Sequence, residues 1–263
     1  FLFENSLYLN KWSKNLPNTK KGNSYLNFIA SHDGIGMRPT EGILSKKILN
    51  NFLKRLKKNG SKFSYRKVQN SKKKVYEANI TVFDALKKSD CDPHGEFYLE
   101  RFISAHAIMV SFEGIPAIYL NSIFGTSNDE AKFIITGNNR DINRYKWNYK
   151  DITDKLKDSK TKQSIFFNNI CNLLKIRRNQ KAFHPNASRQ NLDFGEKIYG
   201  FKRISKDKKQ TIICITNLSS KIQKVQINRK NQKMKNLLNL KINFENKNFL
   251  VLKPFETIWL SNK

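Results

Sequence analysis

Hydrophobic positions along the chain fall into three textures. Over residues 45–60 they recur at helical spacing, with Ile48, Leu49, Phe52, Leu53 and Leu56 on one face, Ser45 placed as an N-cap and Gly60 as a stop. The same periodicity predicts a helix over residues 98–112, with Phe102, Ile103, Ala107 and Val110 inward, and another over 164–178. Residues 5–16 read as the tail of a further helix that runs into a turn-rich connection at 17–23. The second texture is a short, nearly continuous apolar run, found at residues 25–30 and 115–120, as in parallel strands covered on both faces. Polar residues follow each run: Ser31, His32, Asp33 and Gly34 after the first, and a polar loop at 121–147 after the second. Two strand, loop, helix series in succession predict an α/β architecture, either a parallel barrel or a doubly wound sheet, with its chemistry at the strand ends.

The third texture begins after Pro185. Apolar runs at 198–201, 211–215, 225–227, 249–252 and 258–260 are separated by polar and basic turns, and helical periodicity is gone. A small antiparallel β domain is expected over 186–263, with 1–185 forming the α/β part. Residues 41–80, densely basic from Lys46 to Lys74, form an insertion too long for an idle connection and are expected over the mouth of the site.

Composition changes this picture in a few places. With 19 Phe and 9 Tyr the chain is too aromatic to be disordered. Its net charge of +29 invites nucleic acid as a partner, but no helix-turn-helix, finger or RNP pattern accompanies it. The excess of Lys, Asn and Ile with only 11 Gly reads instead as compositional drift at the surface, and no nucleic-acid partner is expected. Cys91, Cys171 and Cys214 are odd in number and lack metal or disulfide spacing, which points to a reducing, cytoplasmic setting. No run of 18 apolar residues occurs, so no membrane span is expected. The first methionine is Met37, inside the loop that follows the first apolar run, and the natural start is expected upstream of Phe1. His106 lies on an apolar helical face and reads as core, and His94 and His184 as loop residues.

The segment from Asn27 to Ile43, NFIASHDGIGMRPTEGI, resembles the last conserved block of α-amylase-type enzymes in the form used by sucrose phosphorylases and their relatives. Further matches recur in family order: Tyr76-Glu77-Ala78-Asn79 with Phe83 to Leu86, Gly114 to Tyr119, Phe124-Gly125 with Asn128-Asp129, Asn139 to Arg144, and Arg177 to Pro185. The resemblance covers essentially the whole chain. It implies the C-terminal part of a (β/α)8 TIM barrel followed by a small antiparallel β-sandwich, with the family's nucleophilic aspartate and acid/base glutamate falling before Phe1.

Enzymes of this kind are retaining, with a covalent glucosyl-enzyme between two oxocarbenium-like transition states. The resemblance assigns Asp33 the role of transition-state stabiliser and His32 that of a donor to the same sugar hydroxyls. Arg144, with Asn143 beside it, aligns with an arginine at the acceptor and phosphate site; Arg140 is a second candidate there and Arg38 a third. Tyr76, Glu77 and Asn79 fall where the acceptor is read. Sucrose phosphorylases carry Tyr-Gln-x-Asn at that place, whereas Tyr-Glu-Ala-Asn resembles relatives that act on glucosylglycerate. The implied reaction uses inorganic phosphate as co-substrate, with no cofactor and no metal, and the chain alone is expected to be inactive. Two rival readings are an α-glucosidase or glucan hydrolase, with water in place of phosphate, and a non-catalytic remnant that binds sugar or a partner.

Overall fold

Helices begin where the chain offers a side-chain acceptor to the first unpaired backbone N–H groups. The computed structural model describes residues 1–68, 73–238, 241–245 and 248–263. After α1 (Leu7–Lys14) come the two-residue strands β1 (Leu26–Asn27) and β2 (Ile35–Gly36). Next is α2 (Lys46–Lys58), where Ser45 Oγ accepts from Ile48 N–H at 3.4 Å. A hairpin of β3 (Lys62–Lys67) and β4 (Lys73–Asn79) follows, with β2 paired on the other side of β4. The 41–80 insertion is therefore this helix and hairpin, closed over Leu56, Ala78 and Ile80.

The chain continues with α3 (Val82–Lys87), started by Thr81 Oγ1, then α4 (Tyr98–Ser111) and β5 (Ile115–Pro116). Strand β5 pairs with β1 in parallel, Leu26 opposite Ile115. Both apolar runs do become parallel strands, but shorter than expected and not covered on both faces: Leu26 is 62% exposed and Phe28 57%. The reason is that β1 and β5 have only each other as strand neighbours among the described residues. The expected polar loop at 121–147 is also partly helical, holding α5 (Leu120–Ile123), α6 (Glu130–Thr136) and a 3-10 turn, Asn139–Asn143. Next come α7 (Tyr149–Lys157), capped by Asn148, and α8 (Lys162–Arg178), capped by Thr161.

The β domain is built from β6 (Ser188–Leu192), β7 (Ile198–Ile204), β8 (Thr211–Asn217), β9 (Gln223–Gln226), α9 (Arg229–Gln232), β10 (Lys235–Asn236), β11 (Asn243–Glu245), β12 (Phe249–Leu252) and β13 (Thr257–Ser261). A five-stranded antiparallel sheet, order β10-β13-β8-β7-β6, faces a three-stranded one, order β11-β12-β9. Strand alternation buries both faces of the larger sheet. Ile198, Ile213, Ile215, Ile258 and Leu260 pack with Val225, Leu250 and Leu252 between the sheets. Tyr199, Phe201, Ile212, Cys214 and Trp259 point the other way, into one core with Phe102, Val110, Phe166 and Leu173 of α4 and α8. The β-sandwich is thus packed on the helices rather than tethered to them.

Two buried arginines finish that junction. Arg177 donates to the carbonyls of Val110, Phe112 and Gly114, and Arg203 to those of Ser111, His184 and Ala187, so both cap the C-terminal end of α4. Neither has a carboxylate partner among the described residues, and burial lowers the pKa of each to about 10. His106 is 1% exposed, with its Nδ1 2.9 Å from Phe102 O and its ring against Phe102, as expected of a core histidine. The three cysteines are free. No helix among the described residues is long and apolar enough to cross a membrane.

Candidate active site

The turn after β1 is the seed of the site. Ser31 and Gly34 exchange backbone hydrogen bonds, and Ser31 Oγ accepts from Asp33 N–H at 3.2 Å. Gly34 has φ +113°, and a Cβ there would stand 2.2 Å from Ala78 O, so only glycine lets this turn lie against β4. That contact brings Asp33 to the residues 76–79. The 3-10 turn Asn139–Asn143 closes over both, because Asn139 Nδ2 donates to Phe63 O of β3 at 2.9 Å.

Opposite charges then alternate across the site. Glu77 accepts from Arg140 with both oxygens, Oε2 from Nε at 3.0 Å and Oε1 from Nη2 at 2.8 Å, a two-pronged pair. Arg140 Nη2 also donates to Tyr76 Oη at 3.1 Å, and its Nε lies 3.5 Å from Asp33 Oδ1. Asp33 Oδ1 in turn accepts from Arg144 Nη2 at 2.5 Å and lies 3.3 Å from His32 Nε2. Glu77, Arg140, Asp33 and Arg144 form one continuous chain of charge. The bonds to Glu77, followed by nearby Asp33, push the Arg140 pKa above its ordinary value, so its guanidinium is fixed as a cation. Asp33 keeps Oδ2 free of hydrogen bonds among the described residues, with its side chain 23% exposed. His32 is exposed beside it, its ring 6.4 Å from that of Tyr119.

The two asparagines stand differently. Asn79 is 0% exposed and Asn143 2%. Asn79 Nδ2 donates to Asp33 O at 2.7 Å while its Oδ1 accepts from Ser64 Oγ at 2.8 Å. Asn143 Nδ2 donates to Ser31 O at 2.8 Å, and its own carbonyl accepts from Tyr119 Oη at 3.0 Å. Both amides thus donate to the turn that carries Asp33, and both residues are buried beneath it. Arg144 has the Asp33 carboxylate as its partner, and Arg140 is the cation beside Tyr76 and Glu77. Arg144 Nε is buried without an acceptor among the described residues. Arg38 is exposed, with no hydrogen bond or ion pair to this group. Ser31, Ser64 and Tyr119 were not singled out from the sequence. Tyr119 sits at the end of the Gly114 to Tyr119 match and Ser31 within the Asn27 to Ile43 segment, which were the available signals; nothing marked Ser64.

Asp33 and Glu77 are the carboxylates of this cluster, and each is held by a guanidinium. The arrangement is suited to gripping hydroxyls and an anionic group. Among the described residues of the cluster, no carboxylate stands free of an arginine.

No family model matches the chain. It is 34% identical over 219 residues to the glucosylglycerate phosphorylase of Escherichia coli (strain K12), covering 82% of this chain and 38% of that protein. To the glucosylglycerate phosphorylase of Spirochaeta thermophila it is 32% identical over 219 residues, covering 83% of this chain and 37% of the relative. The chain thus spans less than two fifths of the length of the curated relatives it matches. Among solved structures, sucrose 6F-phosphate phosphorylase from Thermoanaerobacter thermosaccharolyticum superposes with a TM-score of 0.67 at 20% identity, over 87% of this chain and 43% of the other. That likeness is one of fold. Over about four fifths of its own length the chain is thus similar to glucosylglycerate phosphorylases, and in fold to sucrose 6F-phosphate phosphorylase.

Proposed function

We propose that this chain supplies the sugar-gripping and acceptor-reading part of a retaining α-glucoside phosphorylase that converts glucosylglycerate and inorganic phosphate to α-glucose 1-phosphate and glycerate. The observation that carries the reading is the charge chain Glu77–Arg140–Asp33–Arg144, with Tyr76 on the same guanidinium. The nucleophile and the acid/base come from a further segment; the complete enzyme means here this chain together with that segment. The reaction then runs in two displacements. The nucleophile attacks the anomeric carbon as the acid protonates the departing glycerate oxygen, and phosphate afterwards displaces the nucleophile with inversion at the same carbon, so the α configuration is retained.

In each displacement Asp33 accepts from sugar hydroxyls through Oδ2, in bonds that strengthen as positive charge develops on the ring, and His32 donates beside it. Arg144 holds Asp33 in register with the sugar. Arg140, locked by Glu77, presents its remaining face to the glycerate carboxylate in the first displacement and to phosphate in the second. A hydrolase has no comparable use for this fixed cation, since water carries no charge. The chain by itself is expected to form no glucose 1-phosphate.

The test is a substrate panel. The complete enzyme is given glucosylglycerate, sucrose or maltose, each with and without phosphate. Glucose 1-phosphate formed fastest from glucosylglycerate supports the reading; an equal rate from sucrose removes glycerate as the acceptor.

A further inference from the structure

We infer that Asn79 and Asn143 are positioning residues, which aim Asp33 by holding the turn on either side of it, and that neither touches the substrate. The inference rests on the role proposed for Asp33. It begins from how little else fixes that turn: one pair of backbone hydrogen bonds between Ser31 and Gly34, and the Ser31 Oγ contact within it. The bracing comes from far along the chain. Asn79 lies 46 residues from Asp33 and takes hold of its carbonyl; Asn143 lies 112 residues from Ser31 and takes hold of that one. Ser31 O and Asp33 O flank His32, so the two amides clamp the His32-Asp33 pair from both ends.

Each clamp is itself held. Ser64 Oγ fixes which way the Asn79 amide faces, by donating to Oδ1 and leaving Nδ2 for Asp33 O. Tyr119 Oη donates to the backbone carbonyl of Asn143, which fixes the main chain there, and Tyr119 packs near His32. Asn79 Nδ2 also lies 3.4 Å from Glu77 Oε2, so one buried amide is shared between the sugar side and the acceptor side of the cluster. The Asn79 amide uses both its Oδ1 and its Nδ2 inside the protein and has nothing left to offer a ligand, and Asn143, 2% exposed, commits its Nδ2 to Ser31 O. Their effect is geometric: an Asp33 carboxylate misplaced by about 1 Å forfeits on the order of 100-fold in rate.

The experiment uses α-glucosyl fluoride, whose turnover needs the sugar subsite but neither glycerate nor phosphate. In the complete enzyme, Asn79→Ala and Asn143→Ala should each lower kcat on the fluoride by roughly 30-fold or more with KM within about threefold, and phosphate KM should not move. The deciding measurement is the cycle with Asp33→Asn. In that background Asn79→Ala should cost less than about threefold more, because the group it aims is already disabled. Losses that multiply in full, or a selective rise in KM for phosphate or glycerate, overturn the inference. If an alanine variant does not fold, Ser64→Ala releases the Asn79 amide with little change of volume and should show the same non-additivity at a loss of about fivefold. Absence of glucose 1-phosphate with phosphate present would count against the proposed reaction, while the fluoride kinetics would still decide the positioning role.

Discussion

Replacing Glu77 by glutamine probes the link between the acceptor and the rest of the site. In the structure Glu77 is 13% exposed by side chain and meets Arg140, 35% exposed, with two hydrogen bonds of 2.8 and 3.0 Å. Two unit charges at this separation attract by about 4 kcal/mol at an effective dielectric of 20. Because a third of Arg140 meets solvent, screening leaves roughly 1–2 kcal/mol of that coupling. Glutamine keeps one acceptor oxygen and loses the charge, so Arg140 is freed to swing and its full positive charge faces the acceptor. The expected result in the complete enzyme is a change of about 5- to 30-fold in the ratio of kcat/KM for glucosylglycerate over sucrose. Tyr76→Phe, which removes a neutral partner from the same guanidinium, should change the ratio less. Steady-state kinetics on both substrates reads the effect. A ratio that moves by less than about threefold refutes the view that Glu77 sets the cation that reads the acceptor.

Three further outcomes follow from the same geometry. Asp33→Asn should lower kcat on glucosylglycerate by about 1000-fold while the melting temperature stays unchanged, since the contact is used mainly in the transition state; intact activity would make Asp33 structural. Arg144→Ala should reduce glucose 1-phosphate and free glucose in equal proportion, because its partner is the sugar-side carboxylate, whereas Arg140→Ala should shift the product toward glucose; the opposite pattern would return phosphate to Arg144. Burial lowers the His106 pKa from 6.5 to about 4, so the unfolded chain binds more protons between those values and stability is lost as pH falls through that window. The slope amounts to on the order of 3 kcal/mol across it, and His106→Gln should flatten it in denaturant melts from pH 7 to 4.

Much of the fold was legible because its signals are local. The α2 stripe of Leu49, Phe52, Leu53 and Leu56, its Ser45 cap and the alternating residues of β7, β8 and β13 each state their structure within a few positions. Helix α6 was not, because Ile134 and Ile135 face solvent, 76% and 84% exposed, and leave no apolar stripe to read. Strands β1 and β5 carried a buried-strand pattern, yet pair only with one another among the described residues. In the site, His32 and Asp33 were found from a contiguous motif. The Glu77–Arg140 pair joins residues 63 apart, and the turn that sets it depends on Gly34 fitting against Ala78. Asn79 and Asn143 were read as substrate-binding from residue type and spacing, which do not tell which way a side-chain amide faces; their burial and their bonds to the carbonyls of Asp33 and Ser31 were not legible in the sequence.

If this cluster serves transfer of a glucosyl group to phosphate, the phosphate ester must appear among the products. Phosphorus NMR of the complete enzyme turning over glucosylglycerate while phosphate concentration is varied tests it most directly. α-Glucose 1-phosphate should form one for one with glycerate, its share over free glucose rising with phosphate and falling in Arg140→Ala. Free glucose as the main product at every phosphate concentration, with no phosphate ester appearing, would contradict it.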